Sequence, residues 1–567
     1  MTDDSRQGAP KAPKAAEAPK APRTGGDGPS GRGLAGGILP IVLVLAVPFL
    51  LRPRDNLIAT SGESVVVITP HTEPVRYEFA HAFREHMRAK VGKEVTIDWR
   101  TPGSSREISR FIASEYETAF ANHWKNELHR PWSAKVASAF ADPSVRPSDG
   151  DDGDEVKEAR RAFLGSNVGI GIDLLFGTGS VEAVAHASAG RLVDSGVLRA
   201  HPELFGEGGI PEIAGGKVLW DAEGRWLGSC LTGFGICYNR DTLARLGAEK
   251  PPEQWTDLAD PRYFSQLGIA DPTKSGAAAS AFEMVVHQQM NLREAELRRD
   301  PNVRADEIET RARREGWERS MRLVRRISGN ARYFLSQGTQ SALEIATGDA
   351  AAGMCIDFYG RFQSEVKGGG AGRLSFVTPH GGTAIDTDPI ALLRGAPHRD
   401  LAVQFMEFVL STEGQKLWNF RVGVPGGPVR YALRRLPIAP ALYAPPFDSL
   451  RSDPEENPYE EARAFVYHRE WTGPLLRVIT FILKTTCLDA HDELKEAHRA
   501  LIDAHFPKEA TALFDDVHVV DYEAAQGPIR AALASGDPTQ EATLGNRLLT
   551  DARAQYRRVT ALAREGR

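Results

Sequence analysis

His71 and Glu73 follow closely on the run Val65-Val66-Val67-Ile68, and both are residue types that hold a solute or an ion. Hydroxyls gather in three short loops, Thr101–Ser105, Thr178–Ser180 and Ser275-Gly276, each placed ahead of an expected helix. Backbone N–H groups at a helix start, with Thr101, Ser104, Thr178, Ser180 or Ser275 beside them, suit a carboxylate or a phosphate without needing a full positive charge. Ordinary N-capping asks for the same residues, so each loop alone has two readings; three of them turned towards one cleft favour a ligand. Asp357 and Tyr359 close the short run Ala350–Ile356, and Asp386 and Asp388 stand two apart in an apolar segment, so they share a face of a strand. Such a carboxylate pair is of the type used in acid–base chemistry, and it equally lines a cleft. Arg100 and Arg361 are read as surface arginines.

Other chemistry is excluded by spacing or by absent motifs. His491, His498 and His505 recur every seven residues, about 10.5 Å along a helix, too far for two of them to share one ion. Cys230 and Cys237 stand at odd spacing in what reads as one strand, so they face opposite ways and do not bridge each other. Cys355 or Cys487 is the available partner for either in an oxidising compartment. The chain carries no G-x-x-x-x-G-K-[ST], H-E-x-x-H or G-x-S-x-G. The expectation is a binding protein and not an enzyme.

The elements around these residues alternate. Val75, Phe79, Phe83 and Met87 recur every four residues and predict a helix after the first strand. Val95–Trp99 predicts a second strand, Arg106–Tyr116 a second helix, and Val168–Leu175 a further strand. Strand, small-residue loop and helix in repetition is the rhythm of a parallel α/β sheet, whose ligands sit at the carboxyl ends of the strands. Leu231–Asn239 reads as one buried strand, Ala384–Leu393 as another, and Leu401–Leu410 as an amphipathic helix. Beyond about residue 440 the pattern is mostly helical and ends on the stripe Leu544, Leu548, Ala552, Tyr556 and Val559.

With 567 residues the chain holds three to four domain-sized units at about 150 residues each. Its 69 Lys+Arg against 75 Asp+Glu lack the basic excess of a nucleic-acid coat, so no nucleic-acid partner is expected. Residues 1–33, rich in Pro, Ala and Lys, have little to bury and are expected to be disordered. Leu34 to Leu51 is uncharged and reaches about 27 Å as a helix, enough to span a bilayer as an uncleaved signal anchor, with a cleaved signal peptide as the alternative. Lys14, Lys20, Arg23 and Arg32 precede it against Arg52 and Arg54 after it, which keeps the N-terminus inside and places the body in the periplasm or cell exterior.

Four passages, ITPHTEP (68–74), PPEQWTDLADPRY (251–263) with IADPTKSG (269–276), GDAAAGMCIDFYGR (348–361) and LSTEGQKLW (410–418), occur in an order that resembles the extracellular solute-binding proteins of ABC transporters. The chain is similar to their type II group, which includes ferric-ion-binding proteins. The resemblance implies an α/β fold of two lobes joined by two hinge strands, with the solute between them. Lobe 1 is then 64–232 with 390–440, lobe 2 is 237–383, and 441–567 is a helical extension. It implies a membrane permease as partner, a monomer, and no firm resident cofactor, with Fe(III) as a candidate transported ligand. The metal set it implies is His71, Glu73 and Tyr359, with Asp357, Asp386 or a bound anion adding oxygen for a hard cation. Phe358 stands where such relatives place the first of two adjacent tyrosines, and it cannot ligate. A small organic or phosphorylated anion is the alternative ligand, and a membrane-anchored sensor the alternative role.

Overall fold

A computed structural model describes residues 63–147, 153–367 and 373–567. The low-complexity 1–33 and the anchor at 34–51 lie outside the described residues, and among the described residues no helix is long and apolar enough to cross a membrane. The chain opens with β1 (Glu63–Ile68), α1 (Glu73–Val91), β2 (Val95–Arg100) and α2 (Ser105–Asn126). Among the elements that follow are β3 (Leu174–Phe176), α3 (Ser180–Ser188), β4 (Leu192–Val193), β5 (Ile213–Ala214), β6 (Lys217–Val218) and β7 (Leu227–Thr232). A second series runs β8 (Phe234–Asn239), β9 (Leu267–Ala270), α4 (Gly276–Arg299), α5 (Ala305–Asn330), β10 (Ala331–Leu335), α6 (Gly338–Thr347), β11 (Ala352–Ile356), α7 (Asp357–Lys367) and β12 (Leu374–Val377). The chain then returns through β13 (Asp386–Leu393), α8 (Arg399–Leu410), α9 (Thr412–Asn419) and β14 (Leu436–Pro437). Helices close it, among them α10 (Pro458–Ala464), α11 (Leu476–Leu483), α12 (His491–Asp503) and α13 (Pro538–Arg564).

Two sheets result. The first has the order β14-β7-β13-β3-β1-β2 with β4 beside β13, and the second β10-β9-β11-β8-β12. Both are mixed: β1 is parallel to β2 and β3, whereas β13 runs antiparallel to β3 and β7, and β8 antiparallel to β11 and β12. A third, two-stranded sheet is the β5–β6 hairpin.

The single strand expected at Leu231–Asn239 is not continuous. It is two strands, β7 in the first sheet and β8 in the second, parted at Gly233. Cys230 and Cys237 therefore stand in different sheets, and all four cysteines are buried free thiols. Of the strand expected over Val168–Leu175 only Leu174 and Leu175 lie in β3, which runs on to Phe176; Gly169 is pressed so closely on Gly395 that a Cβ there would lie 2.3 Å from the Gly395 carbonyl oxygen. The stripe Val75, Phe79, Phe83 and Met87 is buried along α1 and packs with Phe176, Phe405 and Trp418 in one core under the first sheet.

The core of the second sheet is continuous with the C-terminal helices. Trp317 and Ile327 of α5 share it with Leu494 and Leu501 of α12 and Tyr556 of α13. Trp317 Nε1 donates to the Val520 carbonyl at 2.8 Å, and His498, buried, meets Asn330 Oδ1 through Nε2 at 3.1 Å. His498 is thus a packing histidine.

Candidate functional site

The site forms where the chain crosses between the sheets. β1 ends in Thr69-Pro70-His71, and β3 ends in Gly177-Thr178-Gly179, the turn into α3. Gly177, Thr178 and Gly179 all have positive φ, at 95°, 91° and 90°. Glycine takes this conformation freely; threonine does so only under strain. Gly177 is required for a second reason: a Cβ on it would lie 3.1 Å from the His71 ring.

His71 is 3% exposed, with its ring edge-on to Phe176 at 4.5 Å between centroids. Neither ring nitrogen has a hydrogen-bond partner; Nε2 stops 3.8 Å from Asp388 Oδ2. Burial lowers its pKa to about 4, so the imidazole is neutral near pH 7. Thr178, 7% exposed, has no partner for its hydroxyl. Asp357, 1% exposed at the start of α7, accepts from the Phe358 amide through Oδ1 at 2.7 Å and leaves Oδ2 without a partner. Burial raises its carboxyl to about 6, against the pull of the Arg361 charge.

Arg435 ties these groups together. Its guanidinium pairs with Asp388 at 2.5 Å and lies 3.6 Å from the centroid of the Phe358 ring. Tyr359, half-buried beside Phe358, has its hydroxyl held in the neutral form by burial despite the Arg435 charge. Arg435 holds the Asp388 carboxyl well below the usual range against the cost of burial. Glu182 on α3 is raised to about 7, by burial first and also by the charges of Asp386 and Asp388. Asp386 lies 3.6 Å from Lys217 Nζ.

On the other side, Arg106 in the first turn of α2 donates to the Thr273 carbonyl at 2.9 Å. A Cβ on Gly276, the first residue of α4, would be 4.0 Å from Arg106 Nε, and one on Gly338, the first of α6, 3.0 Å from Ser275 Oγ. Three helix starts therefore adjoin through Arg106 and Ser275.

The expected residues divide accordingly. His71, Thr178, Asp357, Tyr359 and Asp386 are placed around the Asp388–Arg435 pair, directly or through Glu182, with Ser180 partly buried at the head of α3. Ser275 caps α4, its hydroxyl accepting from the Ala278 amide at 3.2 Å. Ser104 caps α2 and donates to Glu107 Oε2 at 2.8 Å; Thr101 is exposed. Glu73 is exposed and lies by the Tyr431 hydroxyl, whereas His71 is buried between Phe176 and Asp388. Among the described residues, no group of three or more His, Cys, Asp or Glu is placed to hold a metal ion. Arg361, expected at the surface, is buried and pairs with Glu456 at 2.9 Å. Arg435, Arg106 and Glu182 escaped the sequence reading; the doubled Arg434-Arg435 ahead of Leu436-Pro437 is the one local sign of the first.

Residues 172–452 match the family model described as bacterial extracellular solute-binding protein. An uncharacterized protein of Haemophilus influenzae is 27% identical over 187 residues, 33% of this chain and 45% of that protein. The phosphoglycerate transport regulatory protein PgtC of Salmonella typhimurium is 25% identical over 188 residues, 33% of this chain and 39% of its own length. The chain thus spans less than half the length of the curated relatives it matches. Iron-bound HitA from Pseudomonas aeruginosa aligns with 74% of this chain and 98% of its own, at 15% identity and a TM-score of 0.44.

Proposed function

We infer that this chain, which through residues 172–452 belongs to the bacterial extracellular solute-binding proteins, is the solute-capturing component of an ABC uptake transporter. Its body works in the periplasm or at the cell exterior, tethered by the apolar segment 34–51, and delivers its solute to a membrane permease. The two sheets are the cores of two lobes of the type II arrangement, 64–232 with 390–440 and 237–383, hinged at Gly233 and along the return before β13.

One observation carries this reading. Polar atoms from both sheets, the ring nitrogens of His71, the Thr178 hydroxyl and Asp357 Oδ2, are buried at the crossing without partners. Each such atom costs about 1–3 kcal/mol, so a solute that supplies the missing hydrogen bonds gains that much in return. Closing the lobes over it would change the outer surface that a permease reads.

The solute class that fits best is a small organic or phosphorylated anion. Arg435 sets a fixed positive charge beside Tyr359 and against Asp388, where a trivalent cation would have to sit. Glu73 is turned to Tyr431 and Phe358 offers no oxygen, so Fe(III) would find few donors. Arg106, the adjoining helix starts and the protonated form of Glu182 supply donors instead. The phosphoglycerate transport named for one relative accords with this class.

The test is a thermal-shift and calorimetric panel of phosphorylated and carboxylic acids alongside ferric citrate. A matching anion at 100 times its Kd stabilises the native state by about 2.7 kcal/mol and raises the melting temperature. A visible tyrosinate-to-iron band after ferric citrate loading would assign the site to Fe(III). Unchanged melting across the whole panel would remove the binding-protein reading.

A further inference from the structure

The two crossings of the hinge are not alone. Ala462, at the end of α10, is buried in the core of the first sheet, and Phe465, three residues on, in the core of the second. The segment 458–472 therefore forms a third connection. Its first end is fastened where Tyr459 Oη donates to the Ile438 carbonyl at 2.5 Å, next to β14. Its far end is fastened to α4: Tyr467 Oη and Thr472 Oγ1 both donate to Glu283 Oε1, at 2.6 and 2.8 Å, and the His468 amide meets His287 Nε2 at 3.0 Å. His287 completes the network by donating from Nδ1 to Thr472 Oγ1 at 3.0 Å. Glu283, His287 and Thr472 are all buried.

Between these ends the segment is gripped by the β5–β6 hairpin. The Tyr467 amide donates to the Gly215 carbonyl at 2.8 Å. Gly216, at φ 80°, is packed so closely that a Cβ would fall 2.1 Å from the Tyr467 carbonyl oxygen. The next residue, Lys217, places its ammonium 3.7 Å over the centre of the Tyr467 ring and 3.6 Å from Asp386 Oδ2. A cation over an aromatic face and beside a carboxylate is attracted by both. Asp386 is a lining residue of the cleft, so Lys217 links the site to the segment.

We propose that residues 458–472 are a strap across the hinge and that Lys217 is its latch, holding the two lobes together through Asp386 on one side and Tyr467 on the other. Lys217 is a positioning residue: it touches the strap and a cleft residue, and it sets how readily the lobes part. Opening must separate the hairpin from Tyr467, so solute exchange is slowed while the latch is made. A solute that competes for Asp386 or for the ammonium loosens it. This proposal rests on the two-lobed reading above.

The test uses the full-length protein with nitroxide labels on Val91→Cys in α1 and Leu343→Cys in α6, both exposed, the four native thiols being buried. Pulsed electron resonance then reads the distance between the sheets without added solute. Lys217→Met should move the distance distribution outward and broaden it, and Lys217→Arg should restore the parent distribution. Gly216→Ala, which drives a methyl group against the Tyr467 carbonyl, should give the same outward shift with Lys217 in place. Parent distributions in both Lys217→Met and Gly216→Ala would overturn the latch. The functional reading is scored separately by the solute panel: melting shifts retained with unmoved distances sink the latch alone, and moved distances with no solute response sink the transport reading while the latch stands.

Discussion

Arg435 lies over the ring of Phe358, 3.6 Å from its centroid, while pairing with Asp388 at 2.5 Å. A residue just ahead of an edge strand of the first sheet thereby reaches the first turn of α7, which connects β11 and β12 of the second sheet, and meets a carboxylate of β13 on the way. Removing the cation leaves Asp388 unpaired in a largely enclosed place. Arg435→Met should cost about 3 kcal/mol in urea unfolding, and adding Asp388→Asn should recover most of it. A single variant within 0.5 kcal/mol of the parent, on the order of ordinary surface changes, would refute this role.

Glu78 of α1 is buried and accepts three backbone N–H groups, from Val429 at 2.8 Å, Arg430 at 2.8 Å and Tyr431 at 2.7 Å. That carboxylate fixes the loop leading to Arg435. Glu78→Gln keeps the volume but replaces one acceptor by a donor, and should cost about 2 kcal/mol. The same urea curves, read at unchanged slope, check it.

Thr178 separates a local strain from a use. At φ 91° it would be more comfortable as glycine, so Thr178→Gly should hold or raise stability by about 1 kcal/mol. Its hydroxyl has no other partner, so the same variant should weaken solute binding about tenfold, one lost hydrogen bond. Unchanged affinity by calorimetry would take Thr178 out of the site. Gly177→Val, in contrast, should destabilise by about 2 kcal/mol or more, because φ 95° and the His71 ring both oppose a side chain.

Acid should weaken the fold before most carboxylates titrate. Burial holds His71, His186 and His498 at about 4 and His287 at about 3, all below the ordinary 6.5. The unfolded chain binds these protons first, so the stability they carry is present above pH 6.5 and is lost as pH falls towards 4, at about 1.4 kcal/mol per unit and group. Asp357 and Glu182, raised to about 6 and about 7, act oppositely and lose stability as pH rises through those values. Four groups outweigh two, so the melting temperature should fall between pH 6.5 and 4. A flat profile there would show that the histidines protonate in place.

Much of the local structure was written in the sequence. The four-residue stripe from Val75 to Met87 has one apolar face, and only a helix buries it in one piece. The small-residue loops announced the ends of β2, β3 and β9, and Thr178 stands at the second of them with a buried hydroxyl that has no partner. The break at Gly233 was not legible, because β7 and β8 are both fully buried and mostly apolar, and a glycine between them reads equally as strand interior or boundary. His71 and Glu73 are two residues apart, yet one is under Gly177 and the other in solvent; that division is made by β3 and by Tyr431, far along the chain. Arg435 with Asp388, and Lys217 between Asp386 and Tyr467, join residues 47, 169 and 250 positions apart. Periodicity and turn chemistry are properties of neighbours along the chain, and so the residues alone determined most of the elements. Charge pairing, burial and the strap across the hinge depend on which surfaces meet, and only the packed chain decided them.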